Sequence, residues 1–467
     1  MTMPAEDKVR SEAGRGEPGA EEYGLTPETV RAVGDALRAG DAERVRAIAE
    51  DLYAADVAGL IASLTPDERR AFIDSVRGTL DPEVLPELDE QIRDEVFALL
   101  HPEDLAAAVQ ELDTDDALDV VADLDEAQQT ELLARLPVAD RMALLQGLTY
   151  PEYSAGRLMQ RDLVAVPAYW TVGETIDFMR ASPNLPDDFY DIFVVDPRHR
   201  PVGTVSLSRV LRNRRPVRIA DIMASDLTPL PVSMDQEELA RVFRQQDLVS
   251  APVVDDDGRL VGVVTVDDVV DVIDEEAEDD LMKLGGAMEQ DVHASAGRTV
   301  RRRQRWLLIT LANTILASIV ISQFEGSIEA IVALAVLMPI VAAMGGNAGM
   351  QVVTVVVRAL ATRDLTAANT MRVVRKEIVV GAINGLVFAT IMSTIAVLWF
   401  KDLALGAVLA TAMIFNMMWA GLAGTIIPLA LNRAGVDPAV AAGPFLTTTT
   451  DVLGFFVFLG LATWFLI

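Results

Sequence analysis

Hydrophobic residues recur at helical spacing through LAAAVQELDTDDALDVVADLDEAQQTELLARLPVADRMALLQGL (105–148). This is the i, i+3, i+4 pattern of helices that bury one stripe. The runs are short: Thr65-Pro66, Asp81-Pro82, His101-Pro102 and Leu136-Pro137 interrupt them every few turns. Proline can open a helix but breaks its interior. Residues 25–150 are therefore expected to form a series of short helices. The loosely repeated lead-ins LTPDE (64–68), HPEDL (101–105), LDEAQ (124–128) and LPVAD (136–140) point to an α-helical superhelix, whose units cannot bury their faces singly. Residues 1–24 are charged, contain Gly and Pro, and read as a disordered tail without a signal peptide.

Beyond residue 150 the period shortens and the pattern repeats. GRLMQRDLVAVPAYWTVGETIDFMR (156–180) parallels ADIMASDLTPLPVSMDQEELARVFR (220–244). VVDPRHRPVGTVSLSRVL (194–211) parallels VVDDDGRLVGVVTVDDVV (253–270) at a constant offset of 59. Each half predicts strand, helix, strand, turn, strand, helix, with short β-branched runs and a hairpin at Asp255-Asp256-Asp257-Gly258. Residues 151–275 thus resemble a tandem pair of CBS domains, about 156–215 and 219–275.

An acidic segment, 267–297, joins the repeats to five apolar stretches. Nine of the 14 residues in DDVVDVIDEEAEDD (267–280) are Asp or Glu. Asp268, Asp271, Glu275, Glu278 and Asp279 fall near one helical stripe, and Val269, Val272, Ile273 and Leu281 are expected to supply apolar contacts. Like charges at this spacing destabilise a helix, so bound cations or bulk counter-ions must offset them. The apolar stretches lie at roughly 306–323, 328–357, 378–400, 403–431 and 445–467, each able to span ~30 Å of hydrocarbon. Arginines at 301, 302, 303 and 305, and Arg358, Arg363, Arg372, Arg375 and Lys376 between spans two and three, place the N-terminus in the cytosol and the C-terminus outside. A multi-pass protein of the cell (inner) membrane is expected, with 298–467 as its membrane domain.

Charge sharpens this division. The net charge is −31, yet residues 298–467 hold 12 Lys/Arg against 7 Asp/Glu, leaving 27 against 63 in residues 1–297. The soluble part repels nucleic acid and anionic lipid and attracts cations. Cysteine is absent and the three histidines, His101, His199 and His293, are far apart, which removes disulfides and Cys-based zinc sites.

The fifth stretch carries Asp451 with no Lys or Arg beside it. Lipid cannot hydrate a carboxylate, so this residue should face a bundle interior or a wet path, and it is a functional candidate. Thr447 and Thr448 and the two threonines after them add hydroxyls, although threonines in helices also bond their own backbone. In the second stretch Pro339, Gly345, Gly346 and Gly349 lie mid-span and are expected to unwind the helix, which is tolerated only against protein or water. Asn347 and Gln351, four residues apart, point to one side. Gly345 and Gly349 equally suit a GxxxG packing face. The intramembrane amides Asn313, Asn384 and Asn416 read as interhelical glue.

P-x5-GGN-x-G-x-Q (Pro339, Gly345, Gly346, Asn347, Gly349, Gln351) and P-x6-D-x2-G (Pro444, Asp451, Gly454) resemble the signature stretches of the MgtE magnesium channels. The order of regions follows that family over nearly the whole chain. The resemblance implies a Mg2+-selective, Mg2+-gated channel, and a homodimer whose pore lies on the two-fold axis between spans two and five. Asp451 would attract Mg2+, flanked by Pro339, Gly345, Gly346, Asn347, Gln351, Thr447 and Thr448. It also implies Mg2+-sensing acids at Asp268, Asp271, Glu276, Asp279 and Asp280 of the connecting, or plug, helix, and at Asp247 and Asp437. The family's acidic ligands in the N domain do not align residue by residue with this sequence, so none is carried over. The CBS pair makes ATP or another adenine nucleotide a candidate ligand. Two other readings stay open. One is a CBS-regulated transporter coupled to Na+ or H+, against which stand a single deep acid and no inverted repeat. The other is a nucleotide-sensing cation channel. No phosphate loop, nucleophile–base pair or metal-hydrolase motif suggests an enzyme.

Overall fold

The computed structural model describes residues 24–182, 185–186, 189–286, 296–366 and 368–467. The expected N-terminal tail, apart from Gly24, lies outside them. The chain divides into two units, Met1–Ile273 and Asp274–Ile467.

The first unit begins with helices α1 (Pro27–Ala39), α2 (Ala42–Glu50), α3 (Ala54–Ser63), α4 (Pro66–Val76), α5 (Glu90–Leu99), α6 (Pro102–Glu111), α7 (Thr114–Ala122), α8 (Glu126–Arg135) and α9 (Val138–Gly147). Their starts are written in the sequence. Thr65 caps α4 in a reciprocal box with Glu68, with Pro66 at the first helical position; Asp125 and Gln128 do the same for α8. Packing of α2 on α4, α6 on α8 and α7 on α9 stacks the units as the apolar stripes require. Leu60, Ile61, Phe72 and Ile73 are wholly enclosed, each side chain contributing about 1.5–3 kcal/mol by leaving water.

The repeats follow as β1 (Ala165–Pro167), α10 (Val172–Ala181), β2 (Asp191–Val195), β3 (Pro201–Ser206) and α11 (Leu207–Arg212), a short α12 (Ile219–Ile222), then β4 (Leu230–Pro231), α13 (Gln236–Gln246), β5 (Ser250–Val254), β6 (Leu260–Thr265) and α14 (Val266–Leu284). Both sheets run β-β-β with the first pair parallel and the second antiparallel. The bulge at Val194/Val195 recurs at Val253/Val254, the offset of 59 seen in the sequence. The repeats also lace together: Gln160 bridges Val263, and Thr204 bridges Ala224. Gly203 and Gly262 occupy equivalent places at these crossings, where a Cβ would stand 2.8 Å from the Ala224 and Gln160 carbonyls.

The boundary between units falls inside α14, which ends at Leu284 before Gly285 and a left-handed Gly286. The acidic helix therefore stops short of residue 297, and 287–295 are outside the described residues. Val269 and Val272 are buried, whereas Ile273 and Leu281 are exposed, unlike the expectation that all four would supply apolar contacts. The second unit continues with α15 (Ala296–Ser322), a short α16 (Glu325–Ala330), α17 (Ala333–Ala361), α18 (Thr370–Phe400), α19 (Leu403–Arg433) and α20 (Pro438–Leu466). Five of these are long and apolar enough to cross a membrane. Two starts differ from the hydropathy reading. The segment before α17 folds as separate α16, and α20 begins at Pro438, capped by Asp437, rather than near 445. No unwinding occurs at Gly345–Gly349: α17 is one helix with Pro339 inside it. The glycines instead serve close packing, with a Cβ at Gly349 meeting Leu446 at 2.7 Å and one at Gly345 meeting Asn416 at 2.2 Å.

Candidate functional site

Asp451 is the fourteenth residue of α20, ~20 Å along the helix at 1.5 Å per residue. It is half-buried in a cleft of about 220 Å³ between α15 and α20. Trp306, Thr310 and Asn313 form one wall, Thr447 and Thr448 flank the carboxylate, and Leu284 and Gly285 close in from the end of α14. No described side chain pairs with Asp451. Thr447 donates its hydroxyl proton to the Gly443 carbonyl at 3.0 Å and Thr448 to that of Pro444 at 2.7 Å. Thr449 and Thr450 likewise bond their own helix. A hydroxyl whose proton is committed to the backbone presents lone pairs elsewhere. The cleft thus offers one carboxylate and two acceptor oxygens. Pro444 also lacks an N–H for the Val440 carbonyl, and Val440 lines the same cleft.

The motif on α17 faces elsewhere. Gly345 and Gly349 are buried, while Asn347, Gln351 and Thr354 are exposed along one side of the helix. Gly346 is half-buried with open space beyond it. Within one chain neither Asn347 nor Gln351 lines the Asp451 cleft. Three polar side chains in register on a spanning helix call for protein or water around them rather than lipid.

The acidic positions separate into clusters. In the first unit Asp268, at the start of α14, accepts from the Thr265 hydroxyl at 2.8 Å. It lies in the field of α7, whose Asp113, Asp115 and Asp116 share that neighbourhood. Burial, reinforced by Asp268 and Asp119, raises the Asp116 carboxyl to about 7. Burial also lifts Asp268 to about 6, against the opposing Thr265 hydrogen bond. Asp115 is pushed well above the carboxylate range by burial and then by Asp268; it is 7% exposed, and its Oδ1 has no hydrogen-bond partner among the described residues. Asp271 acts on Glu87, which burial raises first and Asp271 second. Asp247, exposed at the end of α13 in a left-handed conformation, stands outside this cluster.

In the second unit Asp280 lies in the field of Asp437, the cap of α20, and of Glu276 and Asp279 on its own helix. Asp280 is raised by burial and then by Asp437. Lys283 sits among them, 2.5 Å from Asp279 and 3.0 Å from Asp437. Burial works against its charge, but the two carboxylates outweigh it and raise the ammonium above the ordinary lysine value.

Sequence reading passed over Asp113, Asp115, Asp116 and Lys283. TDDALD (114–119) looks like a solvated helix face, and nothing local signals that Asp115 is buried against a residue some 150 positions away. Oxygen-only ligand sets suit hard divalent cations, and the orphaned Asp115 Oδ1 fits one. Among the described residues no three acidic or histidine side chains converge closely enough to hold a metal ion.

Residues 338–461 match the MgtE profile, described as a divalent cation transporter. Residues 52–153 match the MgtE intracellular N domain, and 155–215 and 219–275 match CBS domains. The chain is 34% identical over 434 residues to the magnesium transporter MgtE of Thermus thermophilus, covering 92% of this chain and 96% of that protein. The corresponding Bacillus subtilis protein is 28% identical over 432 residues, covering the same 92% and 96%. A solved cytosolic domain of the Mg2+ channel MgtE, in complex with ATP, is 33% identical with a TM-score of 0.49, covering 52% of this chain and 99% of its own. With identity running through the helical, CBS and membrane regions alike, the chain belongs to the MgtE family of magnesium transporters.

Proposed function

We propose that the chain forms a homodimeric, Mg2+-selective channel that cytosolic Mg2+ closes. The observation that carries this reading is the unpaired Asp451 carboxylate in mid-helix, beside threonine oxygens with free lone pairs. Mg2+ releases water reluctantly. Carboxylates facing across a two-fold axis attract the hydrated ion without stripping it, and hydroxyl and carbonyl oxygens accept from its water shell. A second copy would also give the exposed Asn347, Gln351 and Thr354 stripe a polar environment. The N-terminus is cytosolic in this reading, so inside-negative potential draws the ion inward by ~4.6 kcal/mol per 100 mV.

Closure rests on the acids. Asp113, Asp115, Asp116 and Asp268 repel one another across the N-domain and CBS surfaces, as do Asp280 and Asp437 in the second unit. Asp271 and, apart from that cluster, Asp247 add negative charge to the first unit, and Glu276 and Asp279 add it to the second. Bound Mg2+ supplies the charge that turns this repulsion into attraction, so the closed arrangement binds it better and is favoured by it. Lys283 provides part of that charge permanently. Lys283→Gln removes one ion pair within α14, to Asp279, and one between the end of α14 and Asp437, the cap of α20. It should raise open probability with divalents chelated, by a few-fold for a linking pair worth ~0.5–1 kcal/mol, while leaving Mg2+ able to close the channel. Unchanged basal opening would show that the lysine carries no gating load.

Recording from the reconstituted full chain tests the main reading. Mg2+ current should flow without Na+ or H+ gradients and fall when millimolar Mg2+ reaches the N-terminal side. Flux that requires a coupling gradient would replace the channel with a coupled transporter. An adenine nucleotide at the CBS pair is proposed from the duplicated repeats, and ATP titration into the full chain tests it.

A further inference from the structure

α19 packs against both α17 and α20, and Asn416 is a buried polar residue at that junction. It is 1% exposed. Its Nδ2 donates to the Val341 carbonyl of α17 at 2.8 Å. The amide fills a notch between two glycines on different helices: a Cβ on Gly345 would stand 2.2 Å from Nδ2, and one on Gly454 2.8 Å from it. Its Oδ1 is buried with no hydrogen-bond partner among the described residues. Leucine would fill comparable space without burying an unmet acceptor, a recognised cost at low dielectric. What the amide supplies and leucine lacks is a directional bond to α17 from a side chain that also touches α20.

The level of this contact matters. Gly345 is two residues from Asn347, and Gly454 is one turn from Asp451. We propose that Asn416 is a positioning residue for ion selectivity, fixing the spacing and rotation of α17 against α20 and so the place of Asp451 relative to the Asn347 face. The inference rests on the pore reading above. Mg2+ demands near-octahedral geometry, whereas Ca2+ accepts looser and more varied ligand sets. A site whose supporting contact has been loosened therefore loses discrimination before it loses conduction.

The test compares Asn416→Leu, which keeps bulk but loses the bond, and Asn416→Ser, which keeps a small donor, with wild type and Asp451→Asn. The full chain is reconstituted, and the Mg2+/Ca2+ permeability ratio is read from reversal potentials, which do not depend on the amount of protein. Asn416→Leu should lower the ratio on the order of tenfold, as expected when a support fixing geometry to ~0.5 Å is lost. Asn416→Ser should lower it less, and closure by Mg2+ should persist in both. If Asn416→Leu yields no channel, the ratio for Asn416→Ser decides. A wild-type ratio in the Asn416 variants, with the ratio lost in Asp451→Asn, overturns this inference alone. A wild-type ratio in Asp451→Asn overturns the pore reading beneath it.

Discussion

Asp451→Asn should insert and fold as wild type but lose at least ~90% of Mg2+ current and most discrimination against Ca2+. A divalent ion held ~5 Å from one carboxylate, with water between, gains ~6 kcal/mol at an effective dielectric constant of ~20. Desolvation of the ion and carboxylate returns much of this. Yet a residual quarter is enough for the effect, since ~1.4 kcal/mol is tenfold in an equilibrium. Asparagine keeps the shape and removes the charge. It is also cheaper than aspartate within a membrane, so thermal stability of the purified variant should hold or rise while current falls. That opposition separates a functional carboxylate from a structural one, whose loss would lower both. Thr447→Val makes a useful contrast. The Thr447 hydroxyl proton already serves the Gly443 carbonyl, so the cleft loses one acceptor while the helix loses one side-chain-to-backbone bond, and the expected reduction in current is a few-fold, in line with the ~0.5–1.5 kcal/mol of one neutral hydrogen bond. Wild-type current and selectivity in Asp451→Asn would refute the assignment.

Much of the architecture was legible because its signals repeat or are long. The CBS duplication appears twice over, in the offset between strands and in Gly203 and Gly262, and the structure places its bulges and crossings at equivalent points. The five spanning helices follow from sustained hydropathy. Ends and contacts were less legible. The start of α20 is spelled out by Asp437-Pro438, a cap followed by proline at the first helical position, but a hydropathy window hides a helical turn that begins before the apolar run. Gly345 to Gly349 could equally unwind a helix or let another pack against it, because a missing side chain permits both. The choice was made by Asn416 and Leu446, on helices about 70 and 100 residues away. Asn416 itself read as an ordinary interhelical amide, since its unmet Oδ1 and two glycine neighbours exist only in three dimensions. Lys283 was hidden by the nine acids before it.

Asp116→Asn with Asp268→Asn should leave currents that millimolar Mg2+ no longer changes, and should weaken a pH response present in wild type. Both carboxyls are raised in the packed N-domain and CBS surface, Asp116 to about 7 and Asp268 to about 6, first by burial. Separated and hydrated, each returns toward the usual aspartate value near ~3.9. A group whose pKa rises on association binds protons more tightly in the associated state. Association is therefore opposed by these charges above about pH 7, and the opposition fades as pH falls through 7 and then 6. With divalents chelated, wild-type open probability should drop as pH on the N-terminal side moves from 8 to 5.5, because protons then remove repulsion between these carboxylates. The double variant carries no charge at either position, so its open probability should start below wild type at pH 8 and vary less with pH, the remaining response being that of Asp115, which burial holds above the carboxylate range. Protonation only cancels repulsion, whereas a divalent ion adds attraction between the two surfaces, so Mg2+ at pH 8 should close wild type more completely than acid does alone. Current recordings across this range with chelator on the N-terminal side provide the check. An open probability that rises on acidification, or Mg2+ closure that survives in the double variant, would place the sensor away from α7 and the start of α14.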